Sequence, residues 1–261
     1  MRAEADPGFA TVRQNRPATG EALLIRCSCC RERERAVIYI GVDVQTARGV
    51  TWAAVNDDHE SVGAGLLPKG LKDDVATALL DAIEPLSADG PLHVGIDAPR
   101  MPLPVGRSVT WHPQRGWVPC EPRRGRHCEL VVRAAGIANP QWTPVTGDRI
   151  PEWMQLGFAL FAACEAVGHK THEVFPSASY HLLGATSARL TVDLGAFHLA
   201  PKDILDAYVA AYSVAEFVEG RGCEVGGGDG HGAIILPRHL PANVSPALLQ
   251  WPPSLSTGAQ D

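Results

Sequence analysis

The chain has 261 residues, 45% of them hydrophobic and 20% charged, an ordinary balance for a globular protein with one large domain or two small ones. A formal net charge of −6 argues against indiscriminate nucleic-acid binding, which rests on neutralising phosphates with Lys and Arg. No apolar run approaches the ~20 residues of a membrane span, and no apolar stretch leads into a cleavage-like site near the start, so a cytoplasmic protein away from membranes is expected.

Residues 1–35 lack periodicity, end in "RERER" and are expected to form a disordered tail. Within them "CSCC" at 27–30 has the wrong spacing for a paired-Cys zinc site. The nearest partners, Cys120 and Cys128 with His127, complete no such pattern, so the seven cysteines read as reduced thiols. Order begins with "AVIYIGVDV", 36–44, dense enough in apolar residues for a central strand buried on both sides. "VTWAAV" and "SVGAGLLP" follow after short polar turns, spacings that suit an antiparallel meander. Val75, Leu79, Leu80 and Ile83 recur at helical spacing over 72–86. "PLHVGID" then makes a short strand with Asp97 at its carboxyl end.

From 99 to 150 the chain is rich in Pro and Arg, with little order expected beyond a short helix at "RHCELVVRAAG". "PEWMQLGFALFAACEAVG", 151–168, has Pro near its start and Gly at its end, as a helix should. "KTHEVFP" is a strand, "KDILDAYVAAYSVAEFVE" a second long helix, and "GAIILP", 232–237, a last apolar strand. The Pro- and Ser-rich segment after 240 is expected to be loose through 261. A meander followed by alternating helices and strands implies an α/β domain over 36–240, with a mixed sheet flanked by helices. In such sheets the carboxyl ends of parallel strands line the ligand crevice.

Four acids stand out by position: Asp43 near the end of the first strand, Asp97 ending the fourth, Glu173 in the fifth, and Asp206 in the last helix among Ala207, Ala210 and Ala211. Small residues let a helix lie close to a sheet, so Asp206 can reach the strand ends. Acids converging on one crevice repel unless a cation sits between them, and hard oxygen donors select Mg²⁺ or Mn²⁺. Such ions activate water for phosphodiester hydrolysis. Each acid also has a structural reading: a turn cap for Asp43, a partner in Arg100 for Asp97, an ion pair for Glu173, and a solvated face for Asp206, whose neighbour Asp203 lies one turn earlier. The arginines of 100–133 read either as a solvated basic loop or as a phosphate-binding insertion.

"GVDVQTARGVTWAAV", "VGIDAPR", "GRHCELVVRAAGIANPQWTP", "HEVFPSASYHLL", "KDILDAYVAAYSV" and "GHGAIILP" stand in the order of one family. Over roughly 36–238 the chain resembles the domain-of-unknown-function family 429, predicted to be RNase H-like nucleases; "GIDAPR" and "EVFPS" are the most specific pieces. The resemblance implies an RNase H-like fold around a mixed five-stranded sheet. It matches Asp43, Asp97, Glu173 and Asp206 to acidic positions that would hold Mg²⁺ or Mn²⁺ and carry catalysis on a nucleic acid or other phosphodiester. It matches Arg126 and Arg133 to an Arg-rich segment that, with Arg100, would hold phosphate. The chain departs from the family before the last strand: Asp229 is displaced and His231 stands where an acid is usual, which leaves these two, with Asp203, as auxiliary candidates.

Three other readings compete. A non-catalytic module would bind nucleic acid or a protein partner through the Arg-rich insertion. A phosphotransferase of the sugar-kinase and actin type shares the sheet topology but normally needs two such domains. A thiol enzyme built on Cys128 and His127 lacks an orienting third group, and adjacent helical residues do not face one another.

Overall fold

The computed structural model describes residues 37–88, 91–184 and 201–252, so the expected tail at 1–35, the "CSCC" cluster and residues 253–261 lie outside the described residues. The chain divides into two units, Met1–Glu34 and Arg35–Asp261, and every described residue belongs to the second.

The meander forms as its patterning demands: β1 (Tyr39–Asp43), β2 (Thr51–Val55) and β3 (Ser61–Leu66) pair antiparallel in sequence order. After α1 (Lys72–Ile83), β4 (His93–Asp97) pairs parallel to β1. The insertion contributes β5 (Arg107–His112), β6 (Gly116–Arg123) and α2 (His127–Ala134). Then come α3 (Glu152–Ala166), β7 (Lys170–Val174), α4 (Pro176–Gly184), α5 (Pro201–Val218), β8 (Cys223–Gly226) and β9 (Ala233–Leu236). One mixed sheet results, ordered β3-β2-β1-β4-β7-β9-β8, with β1, β4, β7 and β9 parallel. Among the described residues it has seven strands, not five. β8 gives little sequence signal because "CEVG" is four residues long and interrupted by Glu224. α4 is equally hard to read: Pro176 stops a strand but also opens a helix, where its missing N–H and fixed φ are no handicap.

The sheet is covered on both faces. α1 and α3 bury Leu79, Ile83, Leu160 and Phe161 against Ile40, Val42 and Ile96. α5 buries Ile204, Ala207, Ala211 and Val214 against the opposite face, beside Val174.

The insertion is more ordered than its composition suggests. β5 and β6 form a separate two-stranded hairpin, with Trp111 opposite Trp117. Pro119 and Pro122 obscure it in the sequence; a strand outside the main sheet tolerates Pro because few of its N–H groups are needed for pairing. α2 forms where expected. The segment 241–252, expected to be loose, is held down: Trp117 Nε1 donates to the carbonyls of Ala247 at 2.9 Å and Gln250 at 3.0 Å, Leu248 is buried, and Trp251 packs on Trp117 and His127. Among the described residues, no helix is long and apolar enough to cross a membrane.

Candidate functional site

Strand register builds the site. In the parallel pair β1–β4, Asp43 stands opposite Asp97 and Gly41 opposite Gly95. Residues two apart in a strand share a face, and the glycines show which one. A Cβ on Gly41 would lie 2.0 Å from the carbonyl oxygen of Ala207, and one on Gly95 2.5 Å from Val214 Cγ2. α5 therefore rests directly on this glycine pair, and the turn carrying Ala207 brings Asp206 to the two acids. All three carboxylates line one cleft of about 460 Å³ at the carboxyl ends of the central strands.

Glu173 reaches the same cleft from elsewhere. It pairs with Ile96, one step short of Asp97, so the pleat turns it toward the α1–α3 face that receives Ile96. There it meets Arg126, whose Nη1 donates to Glu173 Oε2 at 2.7 Å and whose Nη2 pairs with Oε1. Arg126 also donates to Glu129 Oε1, from Nε at 3.0 Å and Nη2 at 2.9 Å. Glu129 in turn accepts from the N–H and the hydroxyl of Thr143. Arg126 is only 2% exposed, so the structure commits its guanidinium to two carboxylates rather than to an incoming phosphate. Arg100 is engaged as well: it donates to Thr171 Oγ1 at 2.9 Å, pairs with Glu165 and lies over the Phe161 ring. Only its backbone N–H turns to Glu173. Arg133 stacks on Trp142. Asp229 accepts from the N–H of His127 at the start of α2 and from the N–H of His231, and neither Asp229 nor His231 lines the cleft.

Asp203 and Asp206 are both held by polar partners. Arg48 donates to both oxygens of Asp203, and Gln45 bridges Asp203 at 2.8 Å to Asp43 at 3.0 Å. Asp206 accepts from Tyr180 Oη at 2.7 Å and pairs with Lys202, one helical turn away. Sequence reasoning does not find Gln45, Tyr180 or Lys202. The Lys202–Asp206 spacing of four on one helix is the available signal.

No family model, curated protein or solved structure matches the chain. The site is therefore read from its own chemistry.

Six acids are buried among the described residues: Asp43, Glu129, Glu173, Asp203, Asp206 and Glu216. Five of them have a basic ion-pair partner. Asp43 has only the amide of Gln45, and no hydrogen bond or ion pair among the described residues reaches the carboxylate of Asp97 beside it. The electrostatics follow. Burial, then the charges of Asp206 and Asp203, raise the Asp43 carboxyl from its ordinary 3.8 to about 7. Burial, then Asp43 and Asp206, push Asp97 well above the usual carboxylate range. Burial also raises Glu173, against the opposing pull of Arg126.

Two carboxylates side by side, neither in an ion pair with a base among the described residues, can share a proton or hold a cation. Among the described residues no group of three or more His, Cys, Asp or Glu could hold a metal ion by itself, and Asp206 is engaged by Tyr180 and Lys202. Two carboxylates suit Mg²⁺, which keeps several waters and completes its shell with substrate phosphate rather than a full protein cage. The thiol reading loses its chemistry: Cys128 is fully buried, and burial pushes its thiol well above the usual value.

Proposed function

We propose that the protein is a metal-dependent phosphodiesterase or nuclease of the RNase H-like class. The observation that carries this reading is the in-register pair Asp43–Asp97, with no basic side chain among the described residues paired to either, at the carboxyl ends of β1 and β4. The five strands β3-β2-β1-β4-β7, an antiparallel meander continued by parallel strands, accord with the fold that the resemblance implies. Asp43 and Asp97 would hold Mg²⁺ or Mn²⁺, with Asp206 beside them. The ion would lower the pKa of a bound water and neutralise charge on the phosphate. The chain's own residues do the rest. Gln45 fixes Asp43, Tyr180 and Lys202 orient Asp206, and the Arg126 network fixes the cleft wall that carries Glu173.

The test is a calorimetric titration of Mn²⁺ and Mg²⁺ into the wild type, Asp43→Asn and Asp97→Asn. Binding that is present in the wild type and lost in both variants supports the reading. Wild-type binding that both variants retain overturns it.

One observation favours a second reading, a binding module without catalysis. Arg100, Arg126 and Arg133 are all engaged within the protein, so the insertion's arginines serve its own architecture. Ligand binding that is insensitive to divalent metal and to Asp97→Asn would select it.

A further inference from the structure

The loop between α2 and α3 is built with more care than a connection needs. At residues 139–143 its side chains divide between the protein and the cleft. Pro140 is buried. Trp142 is stacked by two cations, Arg107 at 5.5 Å and Arg133 at 5.3 Å from its ring centre. Thr143 is fully buried; its N–H donates to Glu129 Oε2 at 3.0 Å and its carbonyl accepts from the N–H of Gly125. Through Glu129 the loop joins the buried Arg126–Glu173 pair, so the cleft wall and the loop are one network. The two remaining side chains, Asn139 and Gln141, line the acidic cleft and have no hydrogen-bond partner among the described residues. Trp153 and Phe175, partly buried, line the same cleft.

A rigid loop that presents two unengaged amides, with aromatic surface lining the same cleft, has the chemistry of a base-reading pocket. A side-chain amide offers one donor face and one acceptor face, the complement of a nucleobase edge, and a base unstacked from its neighbours is typically held against aromatic or apolar side chains. The dimensions agree: about 460 Å³ accommodates a nucleotide. We propose that the cleft takes a single nucleotide unit, with its phosphate toward Asp43 and Asp97 and its base read by Asn139 and Gln141. The inference rests on the phosphoester reading of the acids and narrows it from any phosphodiester to a nucleotide, free or at the end of a single strand. Arg133 and Arg107 act here as positioning residues that clamp Trp142 rather than as phosphate ligands.

The experiment is a calorimetric titration, in Mg²⁺, of AMP, GMP, CMP, UMP and ribose 5-phosphate into the full chain. At least one nucleotide should bind about tenfold or more tightly than ribose 5-phosphate, the discrimination one bidentate amide–base pair supplies. Asn139→Ala and Gln141→Ala, both at exposed positions, should bring that ratio toward one. A six-residue oligoadenylate that binds at least as tightly as AMP identifies the strand end as the source, and one about tenfold weaker or more identifies the free nucleotide. If ribose 5-phosphate binds as well as every nucleotide, or if nothing binds, the inference is overturned. A Mg²⁺ titration of the wild type and Asp97→Asn, run alongside, separates the two failures. Metal binding through Asp97 without base preference removes only the inference. Base preference lost in Asn139→Ala, with no metal bound, removes the metal reading and leaves the loop's role intact.

Discussion

Asp43→Asn should make this protein more stable, and more so as the pH rises. The Asp43 carboxyl titrates at about 7 in the folded chain against 3.8 ordinarily, because burial and the charges of Asp206 and Asp203 disfavour its anion. Between those values the folded chain keeps a proton that the unfolded chain releases. Stability therefore falls as pH rises through this window, and the full cost, about 4 kcal/mol, is present above about pH 7. Asparagine carries no charge and its Oδ1 still accepts the hydrogen bond from Gln45. Relaxation of the acid cluster in the wild type reduces the benefit, so a net gain of about 2–3 kcal/mol is expected near pH 8, shrinking to nothing near pH 4. In a chain of this size that is roughly 5–10 °C in Tm.

Urea unfolding of both proteins at intervals across this range reads the effect as a difference of midpoints. The difference matters because His172 works the other way. Burial, then His93, Arg100 and Lys170, push its pKa down to about 4, so its contribution is full above about pH 6.5 and is lost as pH falls. That slope is common to both proteins and cancels. A difference that is flat with pH, or a variant less stable than the wild type near pH 8, would refute the claim that an uncompensated charge is buried at the strand ends.

Two further substitutions test the framework. Gly41→Ala places a methyl against the Ala207 carbonyl oxygen and should cost about 3 kcal/mol by forcing α5 off the sheet; a Tm within experimental error of the wild type would mean α5 does not lie where described. Arg126→Met leaves Glu129 and Glu173 buried without their cation and should cost about 3–5 kcal/mol in urea unfolding, partly recovered by adding Glu173→Gln. A phosphate-binding Arg126 would instead weaken ligand affinity at unchanged stability.

The central sheet is legible in the sequence because its signals are local. The unbroken apolar run before Asp43, the short spacings of the meander and the helical periodicity of Val75 to Ile83 each report on their own element. The small residues around Asp206 likewise tell how close α5 can come. The illegible parts depend on partners distant in sequence. Arg126 reads as a phosphate ligand until the fold sets it between Glu129 and Glu173, 47 residues beyond it. Glu173 reads as a third equivalent acid until register shows it pairing with Ile96 rather than Asp97, a one-residue offset that reverses its face. The hairpin is hidden by its prolines, and the packed segment 241–252 by its own, because composition says nothing about which aromatic side chain needs cover. Trp117 needs it, and two backbone carbonyls supply acceptors for its N–H.

The distribution of charge around the cleft is the strongest support for the proposed role of the acids. Nothing about the fold prevents this chain from pairing a buried carboxylate. It sets Arg48 on Asp203, Lys202 on Asp206, Arg126 on Glu129 and Glu173, and Arg221 and Arg238 on Glu216. With five buried acids so treated among the described residues, giving Asp43 and Asp97 no basic partner departs from the chain's own practice, at a place where the two face each other in register. A structural role does not account for it: an asparagine would make the same hydrogen bond with Gln45, and an apolar residue would fill the same volume, without burying a charge. Stability alone would favour either. A site that must receive a positive charge, or hold a proton until one is needed, requires carboxylates that no side chain of the protein has already neutralised.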